Sequence, residues 1–153
     1  MWLKQSNLTY LPYQDYFLRH QPSMSTKLPT RGQLERSLSQ RIRALYLSQL
    51  GHRVSEVDCE LLEAKIAIVL EQSVTQPEQL LVGQGEDELV EELHDELDEA
   101  IRPHLKNLIE EIVGVPVIDL LSDATLETER TGIIAILAEA PQLRDAVNTA
   151  STK

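Results

Sequence analysis

The stretch Glu86–Val113, EDELVEELHDELDEAIRPHLKNLIEEIV, decides how the chain folds. Leu89, Leu93, Leu97, Ile101, Leu105, Leu108 and Ile112 recur at spacings of four or three, the signature of one apolar face on an α-helix. Around that stripe, nine of the fourteen residues from Glu86 to Glu99 are acidic. Acids in the first turn complement the helix dipole, whereas Glu110 and Glu111 at the far end do not. Arg102 can reach Asp98 one turn back, and Lys106 can reach Glu110 one turn on. Pro103 removes the bond to the Glu99 carbonyl; because the stripe resumes at once, a kink is expected there and not a break.

Upstream, Thr75-Gln76-Pro77-Glu78 has the form of a capping box, with proline in the first turn where it costs no helical hydrogen bond. It predicts a short helix that stops at Gly83-Gln84-Gly85. Residues 54–71 read as a β-hairpin. Val57, Cys59 and Leu61 alternate with Asp58 and Glu60, and after a turn near Glu63-Ala64 the run KIAIVLE supplies β-branched Ile66, Ile68 and Val69. Cys59 then faces inward as packing, because a buried thiol without a basic neighbour is inert. Before the hairpin, Leu34, Leu38, Ile42 and Leu45 form another helical stripe, with Thr30 as N-cap and Gly51 as stop. Arg36 and Arg43 point away from that stripe. Leu47 lies on their side, so a second helix or second subunit is expected over that end.

Downstream, Val115, Val117, Ile133, Ile134, Ile136 and Leu137 suit strands covered by a helix layer, and Pro116 starts the first of them at a sheet edge. The tail from Pro141 adds at most a helical turn. The order is α-β-β-α-β-β: an α+β two-layer sandwich whose four-stranded, largely antiparallel sheet is packed by a basic helix and a long acidic helix. This divides the chain into an aromatic-rich extension over 1–29, an α+β domain over 30–140 and a C-terminal tail over 141–153.

The 153 residues suit one domain, and 42% apolar with 25% charged residues is ordinary globular usage. One cysteine excludes an internal disulfide framework. No apolar run is long enough to cross a bilayer and no signal peptide is recognisable, so a cytoplasmic location is expected. The net charge of −11 is unevenly spread: residues 1–54 hold eight basic groups against two acids, leaving −17 on the other 99 residues. Such asymmetry is expected from attraction between basic and acidic elements of one fold, with a nucleic-acid arm or an anionic-surface contact as the alternatives. Five of the six aromatics, Trp2, Tyr10, Tyr13, Tyr16 and Phe17, fall in the first 17 positions. A flexible tail is normally poor in aromatics, so this extension is expected to pack, either on its own domain or on a partner. Pro12, Pro22 and Pro29 prevent it from forming one long helix.

Motifs for chemistry are sparse. There is no GxxxxGK[ST] phosphate loop, and Gly83-Gln84-Gly85 follows a helix, not a strand, so it is no dinucleotide fingerprint. His94 and His104, ten residues apart, lie about 80° from facing the same way on a helix. His94 with Asp98 lacks a third metal ligand and reads as a solvated helix face. No catalytic, cofactor-binding or metal-ligating residue is therefore assigned, and no cofactor is expected. Ser122, Asp123, Thr125 and Thr128 form the best candidate ligand loop, since their oxygens between two strands could hold an anion or nucleotide. Arg31, Arg36, Arg41, Arg43 and Arg53 could contact phosphates, but the pI near 4.7 and the lack of interleaved aromatics weigh against nucleic acid.

Several segments together resemble a known family. Thr30-Arg31-Gly32-Gln33-Leu34-Glu35 before a helix, then a hairpin, then Thr75…Glu78…Leu81 is similar to the MpsC-like family. So are Glu91-Glu92-Leu93, Ile101-Arg102-Pro103…Leu105, Gly114-Val115-Pro116-Val117 and Ser122-Asp123…Thr128. The likeness covers roughly residues 30–139. Leu121 and Glu129 stand where the family usually has histidine and glycine, and Gly51-His52-Arg53-Val54 replaces its Gly-Arg-Gly-Pro-like turn. The resemblance implies an accessory protein of a sodium-translocating, membrane-potential-generating system, linked to ion or inorganic-carbon transport, without catalytic residues to carry across. The expectation is a non-enzymatic adaptor, a homodimer that binds another protein and associates with a peripheral membrane complex. Its contact residues are Trp2, Tyr10, Tyr13, Tyr16, Phe17, Arg36 and Arg43, together with the acidic face of 86–99. A small-ligand sensor and a nucleic-acid binder are the alternatives.

Overall fold

The computed structural model describes residues 27–144. Its elements are α1 (Arg31–Leu50), β1 (Glu56–Leu62), β2 (Lys65–Glu71), α2 (Gln76–Gly83), α3 (Asp87–Val113), β3 (Val117–Thr125) and β4 (Arg130–Leu137). The α+β sandwich expected from the sequence is present, with the short α2 placed between the hairpin and the long helix. The aromatic extension lies outside the described residues.

Local chemistry sets the ends of each helix. The Thr30 hydroxyl accepts from the Gln33 N–H at 3.1 Å and the Gln33 side chain accepts from the Thr30 N–H at 2.9 Å, a reciprocal cap on α1. At the other end Gly51 turns into the left-handed region (φ 62°) and gives its N–H to the Leu47 carbonyl at 3.0 Å. Gly114 (φ 75°) closes α3 on the Glu110 carbonyl in the same way. The α3 assignment is continuous through Pro103.

The sheet has strand order β1-β2-β4-β3 and every pairing is antiparallel. Two hairpins are thus joined side by side through β2 and β4. Edge strand β3, where Pro116 pointed, carries a register irregularity between Val117 and Asp119. Val57, Leu61, Ile66, Ile68, Leu70, Ile133, Ala135, Val117 and Leu120 face one way, into a single core with α1 and α3. Leu143 belongs to that core and the Arg144 N–H binds the Pro29 carbonyl at 3.0 Å, so the packed domain reaches past residue 140.

Two stripes differ from their expected course. On α1 the buried line runs Leu34, Leu38, Ile42, Tyr46, with Leu45 only half-buried, and Leu47 is 44% exposed. On α3 the N-terminal half buries Val90 while Leu89 is 47% exposed. At 100° per residue, three steps of four place Leu89 about 120° away from Ile101, whereas Val90, eleven residues back, is only about 20° away.

Candidate functional site

The described residues offer three places where function could reside: a buried polar cluster, a carboxylate–guanidinium group of α3 against β3, and the uncovered face of the sheet. The polar cluster starts from the α2 cap. Glu78 is essentially buried, yet every oxygen has a donor. Its Oε2 accepts from the Thr75 N–H at 2.7 Å and the Thr75 hydroxyl at 2.6 Å, while Oε1 meets His94 Nδ1 at 2.7 Å. One carboxylate therefore caps α2 and fastens it to α3. Burial by itself would raise the Glu78 pKa, but the bonds from His94 and Thr75 outweigh it and hold the carboxyl below its ordinary value. The bond to Glu78 raises His94, with Asp98 and Asp95 adding to that and burial opposing. Here the expectation of a solvated His94 face is corrected: the imidazole is half-buried and has a dedicated partner.

Around this pair, Ser73 and Thr131 share a hydrogen bond of 2.7 Å and Ser73 donates to the Glu129 carbonyl. Tyr46 closes the wall, its hydroxyl kept protonated by burial and by Asp98 and Glu78. The partly open crevice between them holds about 20 Å³. That volume suits a water molecule and excludes a metabolite.

The second group contains the first of the predicted ligand residues. Ser122 lies within β3 and gives its hydroxyl to Asp98 at 2.8–2.9 Å. Arg102 holds the same carboxylate at 2.8 Å, as the i−4 spacing predicted, and donates to the Leu120 carbonyl. The other expected helix pair is replaced: Glu110 accepts the Val117 N–H at 2.9 Å. The four ligand candidates do not converge. Asp123 is exposed and accepts the neighbouring Ala124 N–H, Thr125 is exposed at the strand end, and Thr128 donates to the Thr125 carbonyl at 3.5 Å. Strand alternation explains it, since Ser122 and Asp123 must face opposite sides of β3. Asp123 and Thr125 instead border an open groove of about 580 Å³ with Asp87, Glu91, Asp95 and Glu127.

Of the other sequence candidates, Arg36 is exposed on α1, and Arg43 reaches the Ser55 carbonyl at 3.4 Å. Arg41 pairs with Glu111 of α3 at 2.6 Å, and Arg31 donates to the Leu61 carbonyl. Part of the basic helix is thus engaged with its own domain, the internal attraction its charge suggested. Burial pushes the Cys59 thiol up to about 11, so it is protonated near neutrality and a poor nucleophile. Trp2, Tyr10, Tyr13, Tyr16 and Phe17 lie outside the described residues.

The third place is the far side of the sheet. Register sets Leu62, Ala67, Val69, Ile134, Ile136 and Leu121 on the face opposite the helices. There Leu62 is 49%, Leu121 54% and Ile134 38% exposed, and Ile118 beside the irregularity in β3 is 65% exposed. Asp58 and Glu60 border this apolar centre on β1, and Asp119 and Asp123 border it on β3. Ala67, Ile134 and Leu121 form an apolar row across β2, β4 and β3, with Glu60 beside it on β1 and Lys65 between Leu62 and Ile136; an apolar centre with charged margins is the composition of an interaction surface. Among the described residues no helix or loop covers it. Sequence reasoning placed Ile134 and Ile136 under helices; their alternation with Ile133, Ala135 and Leu137 is the signal that separates the two faces.

A family model described as "Na+-translocating membrane potential-generating system (MpsC)" matches residues 30–139. No curated protein and no solved structure matches the chain. Among the described residues, no helix is long and apolar enough to cross a membrane.

Proposed function

The chain belongs to the MpsC family, and from that premise we propose that it serves a sodium-translocating, membrane-potential-generating system as a non-catalytic accessory protein. It acts by docking another protein on the open face of its sheet. The observation that carries this reading is the exposed neighbouring pair Leu121 and Ile134, with exposed Leu62 and Ile118 on the edge strands, on a sheet whose other face packs into the core. The ionisable groups fit the same reading: Glu78 is committed to His94, and Asp98 to Arg102 and Ser122. These bonds tie α2 and β3 to α3.

The test is complementation. Membrane vesicles from cells lacking this protein, supplied with the wild-type chain, are expected to regain sodium-dependent membrane potential. A Leu121→Glu, Ile134→Glu double variant, matched for folded protein by circular dichroism, is expected to restore less than a tenth of it. Full restoration by that variant refutes docking at this face.

A further inference from the structure

We infer that α2 is a latch: residues 76–86 swing off the domain as one unit when the Glu78–His94 bond is broken, and the remainder stays folded. This goes beyond the docking of a partner protein and stands whether or not one binds, because it concerns the helix layer of the isolated chain.

The short helix lacks the apolar anchors of its neighbours. Leu34, Leu38, Ile42 and Tyr46 are buried on α1, and six apolar side chains from Val90 to Val113 are buried on α3. On α2 the one buried side chain is the carboxylate of Glu78, while Leu80 and Val82 are exposed. At eight residues α2 is also too short to persist as a helix on its own. Polar bonds therefore hold it in place. Among the hydrogen bonds of the described residues, two join α2 to other elements: Glu78 Oε1 meets His94 Nδ1 at 2.7 Å, and Gln79 Nε2 donates to Glu129 Oε1 at 2.8 Å. The second is exposed, where water competes for both partners, so the first decides.

The chain is fixed on both sides of the segment. Upstream, the Ser73 N–H binds the Glu129 carbonyl at 2.9 Å and Val74 is buried, which holds the backbone as far as Thr75. Downstream, α3 is anchored from buried Val90. Between α2 and that anchor lie Gly83 and Gly85, the latter at φ 76°, a conformation glycine adopts without strain. Open space surrounds both, so the connection can pivot. Beneath Glu78 lies the crevice lined by Tyr46, Leu50, Leu97 and Ile101. His94 borders both that crevice and the groove of about 580 Å³, and Val82 forms part of the groove's wall. Opening of α2 withdraws Glu78 from the first and Val82 from the second, and joins them into one cleft.

The trigger is the charge on His94. Glu78 faces it from α2, and Asp95 and Asp98 from α3, with Asp98 also held by Arg102. Tyr46 of α1 lines the same crevice as a neutral phenol, and Ser73, Thr75 and Thr131 are uncharged. Asp87, Glu91, Asp123 and Glu127 line the groove on the other side. All these carboxylates favour the imidazolium. The imidazole therefore keeps its proton below its unfolded value of about 6.5, and the latch is shut there. As pH rises through the raised folded value the proton leaves, the charge-assisted bond to Glu78 is lost, and α2 opens.

Amide hydrogen exchange of the full chain tests this, read as protection factors so that the intrinsic pH dependence of exchange drops out. At pH 6 residues 79–86 are expected to be protected, at least tenfold less than residues 101–113 of α3 and 65–71 of β2. Between pH 6 and 9 their protection is expected to fall at least threefold while those two core segments keep theirs. His94→Gln is expected to lower the protection of 79–86 at least tenfold at pH 6 and to abolish its pH dependence. Gln79→Ala, which leaves Glu78 and His94 intact, is expected to retain that dependence. Far-UV circular dichroism checks folding; if His94→Gln unfolds, the wild-type pH comparison and Gln79→Ala decide. Protection of 79–86 equal to that of the core segments, or a fall shared by all three, means that α2 leaves only with global unfolding and overturns the inference. Protection unchanged from pH 6 to 9 overturns it too, as does the absence of any protection at pH 6.

Discussion

Replacing His94 with alanine is expected to destabilise the domain by about 3–5 kcal/mol, the usual cost of removing one partner from a buried ion pair. The cost is high because Glu78, 1% exposed, keeps its carboxylate in place through Thr75 and loses the His94 donor to its other oxygen. The pair also sets a pH window. His94 has its pKa raised on folding, so its contribution is complete below the unfolded value of about 6.5 and fades as pH rises through the folded value. Glu78 has its pKa lowered, so its contribution is complete above about 4.3 and fades as pH falls through the folded value. The groups facing His94 are Glu78 from α2, with Asp95 and Asp98 from α3, and all three favour the imidazolium. Urea unfolding of wild type and His94→Gln from pH 4 to 9 is expected to show the largest difference between about pH 4.5 and 6.5. A constant difference across that range would remove the ion pair from the explanation. A Glu78→Gln, His94→Gln double variant should lose less than the two single variants together, because no charge is then left buried.

Ile109→Ala is expected to cost about 4 kcal/mol, while Leu89→Ala stays within about 0.5 kcal/mol. Both lie on α3 and both deletions remove aliphatic carbon, so helix propensity gains from alanine in each case. They differ in burial: Ile109 is 0% exposed at the centre of the core and Leu89 is 47% exposed. Chemical denaturation of the two variants measures which face of α3 meets the sheet. Equal costs, or a larger one at Leu89, would restore the regular leucine stripe and rotate the helix away from its observed packing.

That pair also marks how far the sequence could be read. Thr30, Gly51 and the Glu63-Ala64 turn are local devices whose chemistry acts over a few residues, and they fall where expected. Both hairpins follow from alternation that the strands carry themselves. The α3 stripe went astray because a run of leucines four apart drifts by 40° at each step, and solvent-facing Leu89 looks like core until the drift is counted. The same count exposes His94: it lies seven residues before Ile101, about 20° from its direction, and so belongs beside the core. Its partner was out of reach, because Glu78 already had a sufficient local role as the glutamate of a cap. Nothing in the interval between residues 78 and 94 says that α2 folds back along α3. Ser122 shows the converse. A run of hydroxyls and acids reads as a loop, but β3 extends through Thr125 and alternation sends neighbours to different surroundings. The open sheet face was partly visible as Ile134 and Ile136 alternating with Ile133 and Ala135, yet only the lack of a third layer among the described residues leaves Ile134 exposed and Ile136 half-buried.

The most direct measurement is site-specific photo-cross-linking in cells that run the sodium-translocating system. A benzophenone side chain is placed in turn at Ile134 on the sheet face and at Gln40 and Glu99 on exposed helix positions. Docking at the sheet predicts a discrete adduct joining this chain to a second polypeptide of that system from position 134, and none from 40 or 99. Adducts from the helix positions with none from 134 would contradict it.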